Sequence, residues 1–152
     1  DTNACCVLIA PTRSISRCEF KFIELLGGNF GIRVDTPRSG SSFAFNHINC
    51  SFVHEQFNTS VAEGSADGSS LNHSIRGNQW NVHCAPGANA CAVDVQGNHG
   101  RWIINAVAEK GPLRCGLTTH TTTTDNTFVL QNLDGTVSGP FSKKETGSNR
   151  FE

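Results

Sequence analysis

Apolar residues along the chain fall in short runs that alternate with polar ones. This period-two pattern is the mark of strands with one face covered. It predicts strands at 30–34, within 43–53, and at 79–84, 91–95, 101–107, 113–119 and 127–131. Glycine-, serine- and asparagine-rich stretches at 64–70 and 85–90 predict loops. One segment reads differently. Ile15, Cys18, Phe22 and Leu25 recur at spacings of three and four, Ser16 and Glu19 have capping-box spacing, and Gly27-Gly28 would end the element. The spacing predicts a helix over 16–26, although Phe20 and Phe22, alternating with Glu19 and Lys21, also permit a strand.

One early helix followed by many strands predicts an α+β fold, with the helix packed on a curved antiparallel sheet. Residues 1–13, with "ACCVLIAP", read as an extended arm tied down through Cys5 or Cys6. No internal repeat or linker stands out, so 1–132 reads as one domain. Residues 133–152, "LDGTVSGPFSKKETGSNRFE", read as a polar tail that Phe141 could pin, its Ser142-Lys143-Lys144 being a solvated basic stretch.

Composition narrows the class. No apolar run is long enough to span a bilayer. A formal net charge of −1 leaves no overall pull on a polyanion, so any such site must be local. Seven cysteines suggest an oxidising compartment and a disulfide-stapled, secreted protein. The sequons at Asn49, Asn58 and Asn72 point the same way. So does a chain that starts at Asp1 and lacks methionine, as a product of signal removal would. Cys84 and Cys91 flank the turn-rich "APGANA" and are the natural local pair; the odd count leaves one thiol over. His83, Cys84, Cys91 and His99 have zinc-ligating types but no common zinc spacing, so no metal and no cofactor is expected.

The chemistry gathers at His120, where an apolar run gives way to "THTTTTDN". Arg101 opens the strand before it. If the two strands are antiparallel neighbours in the right register, a guanidinium suited to phosphate oxygens and an imidazole suited to proton transfer share one face. Arg101-Trp102-Ile103-Ile104, then Gly116-Leu117-Thr118-Thr119-His120-Thr121, then Asn126 and Phe128-Val129 resemble the small secreted fungal guanyl-preferring ribonucleases and their ribotoxin relatives, over about residues 97–131. The resemblance implies Arg101 as the group holding the transition-state oxygens, His120 as the general acid, Phe128 as an apolar wall with Asn126 nearby, and a site on the concave face of the sheet.

The sequence departs from that family where a base is needed. "GNQWNVHC" puts Trp80 at the family's aromatic and Gln79 at its glutamate, and an amide cannot take up the proton. "SGSSFAFNH" puts Phe43 and Phe45 at the family's tyrosine and histidine, with His47 or His73 as other equivalents. The chain has no tyrosine. Losing a positioned base costs about a hundred- to ten-thousand-fold in rate. The resulting expectation is a secreted, monomeric effector or elicitor on a ribonuclease-like scaffold, catalytically impaired, acting on host RNA or a host protein. The alternatives are an active metal-independent ribonuclease rescued by His47, His54, His73 or His83, and a disulfide-rich binding module unrelated to ribonucleases.

Overall fold

The computed structural model describes residues 4–36, 40–54, 59–64, 74–109, 111–121, 123–133, 137–138 and 148–152. It is a parallel β-solenoid in which each turn of chain lays a strand on two long sides, and the first three coils also lay one on a short third side. The first coil carries β1 (Cys5–Ile9), β2 (Ser14–Ser16), β3 (Glu19–Phe22) and a short β4 (Leu25–Leu26). The second has β5 (Phe30–Val34), β6 (Ser42–Ala44) and β7 (His47–His54), and the third β8 (Thr59–Glu63), β9 (Ile75–Arg76) and β10 (Gln79–Cys84). In the fourth and fifth, β11 (Cys91–Val95) and β12 (Arg101–Ala106), then β13 (Cys115–Thr119) and β14 (Thr127–Leu133), are joined across the short side without a strand. The last coil has β15 (Val137–Ser138) and β16 (Arg150–Phe151).

Three sheets result. The first runs β1-β5-β8-β11-β13-β15, the second β3-β7-β10-β12-β14-β16, and the small third β2-β6-β9. Every pairing among the described strands is parallel. This corrects the α+β expectation: there is no helix at 16–26, and the sheets are neither antiparallel nor ribonuclease-like. The alternation of Phe20 and Phe22 with Glu19 and Lys21 was the operative signal there. Both phenylalanines pack on the core while Glu19 and Lys21 face solvent. The tail expected beyond 132 also supplies strands, because β15 and β16 pair onto β13 and β14.

Stacking in register turns similar residues into columns through the core. Val7, Ile32, Val61, Val93 and Leu117 line one wall, with Val137 next in backbone register on β15. Phe20, Ile48, Trp80, Trp102, Phe128 and Phe151 line the facing one. Within the second column the Trp80 and Trp102 rings lie 4.9 Å apart and 6° from parallel, and Phe128 stacks on Phe151 at 5.3 Å.

The corner leading into the second sheet is built the same way in each coil. Arg17, Phe45, Gly77, His99 and Asp125 take positive φ there, between 55° and 64°. The next residue is Cys18, Asn46, Asn78, Gly100 or Asn126, with Asn149 in the last coil. The asparagines form a ladder. Asn46 Oδ1 accepts the Cys18 N–H and Asn78 Oδ1 the Asn46 N–H, both at 3.0 Å. Asn126 Oδ1 accepts the Gly100 N–H at 2.7 Å, and Asn149 Oδ1 the Asn126 N–H at 2.9 Å. Each side-chain amide also donates to a carbonyl of the coil before: Ile15, Phe43, Gly97 and Thr123 respectively. One buried side chain thus satisfies a donor and an acceptor that the turn would orphan. Gly100 interrupts the ladder for a steric reason. A Cβ there would lie 2.9 Å from Asn126 Oδ1 and 3.1 Å from Trp102 Nε1.

Beside the ladder lies an acid. Glu63 occupies the column of Val34 and Val95 and is only 3 % exposed. Its Oε1 accepts Trp80 Nε1–H at 2.6 Å and Asn78 Nδ2–H at 3.3 Å. In the next coil Val95 stands in its place, and the Trp102 indole N–H is buried without a hydrogen-bond partner among the described residues. Burial pushes the Glu63 carboxyl up to about 7, against the lowering pull of the bonds from Trp80, Asn78 and the Gly97 backbone.

Two outcomes follow. Replacing Asn126 with alanine leaves the Gly100 N–H and the Gly97 carbonyl buried and unpaired, and should cost about 2–3 kcal/mol in urea unfolding. An acid raised from 4.5 to about 7 on folding stabilises the fold fully below pH 4.5, and that contribution is lost as pH rises towards 7. Relative to Glu63→Gln, the wild type should therefore lose about 3 kcal/mol of stability across that window, measured as parallel denaturation series.

Candidate functional site

The interior is filled by side chains, so chemistry must lie on the outside. The residues singled out from sequence divide accordingly. Phe128, Phe43 and Trp80 are wholly buried core residues, and Asn126 is a rung of the ladder. None of them can wall a substrate site. Arg101 and His120 do not share a face. Arg101 opens β12 in the second sheet, and its neighbours are Gln79 on β10 and Thr127 on β14. His120 follows β13 in the first sheet, on the far side of the short third side. The expected pairing of their two strands fails because parallel coils place consecutive strands on different sheets.

His120 has a different partner. Its Nε2 lies 2.6 Å from Asp94 Oδ1, and its backbone N–H is donated to Thr123 Oγ1. The hydrogen bond to Asp94 raises the imidazole's pKa, burial opposing it. Asp94 stands on β11 and Thr118 is its register neighbour on β13, so the pair clips coil four to coil five. Its contribution to stability is full below pH 6.5 and fades as pH rises through the raised folded value. Of the substitute bases, His47 and His83 face outward on the second sheet and lie away from His120. The His54 side chain and His73 lie outside the described residues, as do Asn58, Asn72, Phe141 and the lysines at 143 and 144.

The zinc-type residues disperse too. His83 is exposed on β10, Cys84 is buried at its end, Cys91 opens β11, and His99 sits at a corner. No group of three metal-ligating side chains occurs among the described residues. No disulfide is formed among the seven cysteines in the structure, where the sequence led to the expectation of a disulfide-stapled chain. No helix of the described residues is long and apolar enough to cross a membrane.

What the fold does assemble is a row along the corner that opens the second sheet. Glu19, His47, Gln79, Arg101, Thr127 and Arg150 stack in register on its outer face. Parallel strands set them about 4.8 Å apart. Alongside runs the positive-φ column. Phe45 is 56 % exposed although it is a large apolar side chain, and the Arg76 guanidinium lies 5.9 Å from its ring centre. Gly77 lies beside that ring, where a Cβ would be 2.6 Å from Phe45 Cδ1. Further along, His99 Nδ1 is 3.6 Å from Asp125 Oδ2. Asp125, Asn126, Thr127, Ser148 and Arg150 line a shallow depression of about 190 Å³. That is below the size of a pocket that engulfs a small molecule. The surface therefore suits a chain lying across it.

Four residues picked from sequence, Phe45, His47, Gln79 and Arg101, do come together here, though for another reason than the one expected. Asp125, Ser148 and Arg150 were missed, and His99 was weighed only as a zinc ligand. The signal for them was the recurring Asn-polar-apolar triplet of Asn46-His47-Ile48, Asn78-Gln79-Trp80, Asn126-Thr127-Phe128 and Asn149-Arg150-Phe151. No family model, no curated protein and no solved structure matches this chain.

The Asp94–His120 pair gives a direct check on the electrostatics. In an NMR titration of the His120 ring, Asp94→Asn should lower its pKa.

Proposed function

We propose that this protein is a binding module for a linear, hydroxyl-rich polymer, a polysaccharide, which lies along the corner of the second sheet. The exposed Phe45 ring carries the reading. It stands beside the row of His47, Gln79, Arg101, Thr127 and Arg150, whose backbones are held at strand spacing by a rigid scaffold. An apolar ring face packs against the C–H face of a sugar. Amides, guanidinium groups, hydroxyls and the Asp125 carboxylate supply the mixture of donors and acceptors that hydroxyl groups need. The ribonuclease scaffold on which a degraded nuclease site depended is absent. Activity through Arg101 and His120 is not proposed, because they stand on different sheets.

An RNA single strand is the competing polymer, since bases also stack on aromatic rings beside arginine. The row argues against it. Glu19 and Asp125 lie among the arginines, the formal net charge is −1, and a backbone-tracking groove calls for a basic face. The cysteine content still favours a protein that works outside the cytosol.

Affinity electrophoresis through gels containing neutral or acidic plant, fungal and bacterial polysaccharides tests the proposal. Retardation by at least one of them is expected, falling about tenfold or more in Phe45→Ala and Arg101→Ala, both exposed positions that leave the core intact. Retention on single-stranded RNA with none on any glycan, or glycan binding indifferent to both substitutions, would overturn it.

A further inference from the structure

We propose that Cys91 and Cys115 form a disulfide that ties the fourth coil to the fifth when the chain folds with a low-molecular-weight disulfide oxidant. The two residues are direct register partners at the start of β11 and β13. Parallel neighbours stand about 4.8 Å apart at Cα, inside the roughly 4.4–6.8 Å that a disulfide spans. Their thiols are hydrogen-bonded to one another. Cys115 Sγ also lies 3.4 Å from Thr118 Oγ1, and the Arg114 side chain reaches back to Cys91 Sγ at 3.1 and 3.2 Å. Both cysteines are nearly inaccessible, at 5 % and 4 %.

Other pairings meet obstacles in the register. Cys84 lies on the second sheet at the far side of the 85–90 loop from Cys91, and it faces Val53 on one side and Ala106 on the other. Cys50 faces Phe22 and Val82. Cys5 shares the column of Cys91, but Phe30 and Thr59 lie between them.

The chemistry balances as two exchanges. One cysteine thiolate attacks the small disulfide, giving a mixed disulfide and releasing one small thiolate. The second cysteine thiolate displaces the other, so the protein loses two protons and two electrons and the oxidant becomes two thiols. The hydrogen bond that the Cys91 thiol donates to Cys115, together with burial, raises the Cys91 thiol, against the pull of Arg114. A folded dithiol is therefore a slow nucleophile. The bond belongs to folding, and it serves as a structural cross-link with no switching role.

The test is a non-reducing peptide map of protein refolded in a glutathione redox buffer, with unreacted thiols alkylated after denaturation. Trypsin leaves Cys84 and Cys91 in one peptide, 77–101, and releases Cys115 in another, 115–143. The expected product joins the two peptides, with fragmentation placing the bond at Cys91. It persists in Cys84→Ala and vanishes in Cys115→Ala. Oxidised wild-type protein should melt roughly 5–10 °C above its reduced form. Alkylation of both Cys91 and Cys115, or a bond from Cys91 to Cys84 within peptide 77–101, would overturn the proposal.

Discussion

The asparagine ladder is the constraint on which the rest depends. A parallel solenoid must turn a corner at the same place in every coil, and each corner leaves an N–H and a carbonyl facing inward with no strand partner. Asn46, Asn78, Asn126 and Asn149 meet both needs, accepting with Oδ1 and donating with Nδ2. The left-handed residue before Asn46, Asn78 and Asn126 aims the chain into the second sheet. Once the corner is set, the strand after it starts in a fixed register, and the aromatic column behind it follows without further specification.

The ladder also accounts for the one irregular patch in the core. Trp80 and Trp102 stack almost face to face, which places two indole N–H groups side by side in an apolar interior. Glu63 answers the first. In the fourth coil the counterpart of Glu63 is Val95, and Gly100 leaves room near Trp102 Nε1 where an asparagine side chain would collide. The core therefore concentrates its polar cost in one place. A carboxylate is buried for one indole, a rung is missing, and the other indole goes unanswered.

Strand positions were legible in the chain because alternation is a local property: 30–34, 79–84 and 91–95 coincide with observed strands. Strand direction and sheet membership were not, since both depend on what the connections do. The segment between β13 and β14 looks like a hairpin loop, yet the two strands that flank it lie in different sheets. The spacing from Cys5 to Phe30, Thr59, Cys91 and Cys115 varies from coil to coil, so no fixed period betrays the repeat. The helix over 16–26 was misread for a related reason. Ile15, Phe22 and Leu25 all pack on the core, but from different strands of one coil. Even the motif that resembles the ribonucleases has a structural origin here. Leu117 fills one column, Asn126 is a rung, Phe128 fills the other column, and Arg101 is the first outward residue after a corner.

The exterior row takes its precision from these same devices. Phe45 is presented to solvent because its own positive φ turns the corner that Asn46 then locks. Its ring lies over Gly77, where any side chain would intrude. Gly77 in turn holds the positive φ that precedes Asn78. Ring, glycine and rung form one mechanical unit. A substitution at Gly77 would disturb the corner and the exposed ring together, whereas one at Arg101 or Arg150 touches the surface alone. Binding and folding are therefore separable at Arg101, at Arg150 and at the exposed Phe45 ring, and inseparable at Gly77. Arg101 and Arg150 can vary with the ligand, while the Phe45–Gly77 corner is held by the fold itself.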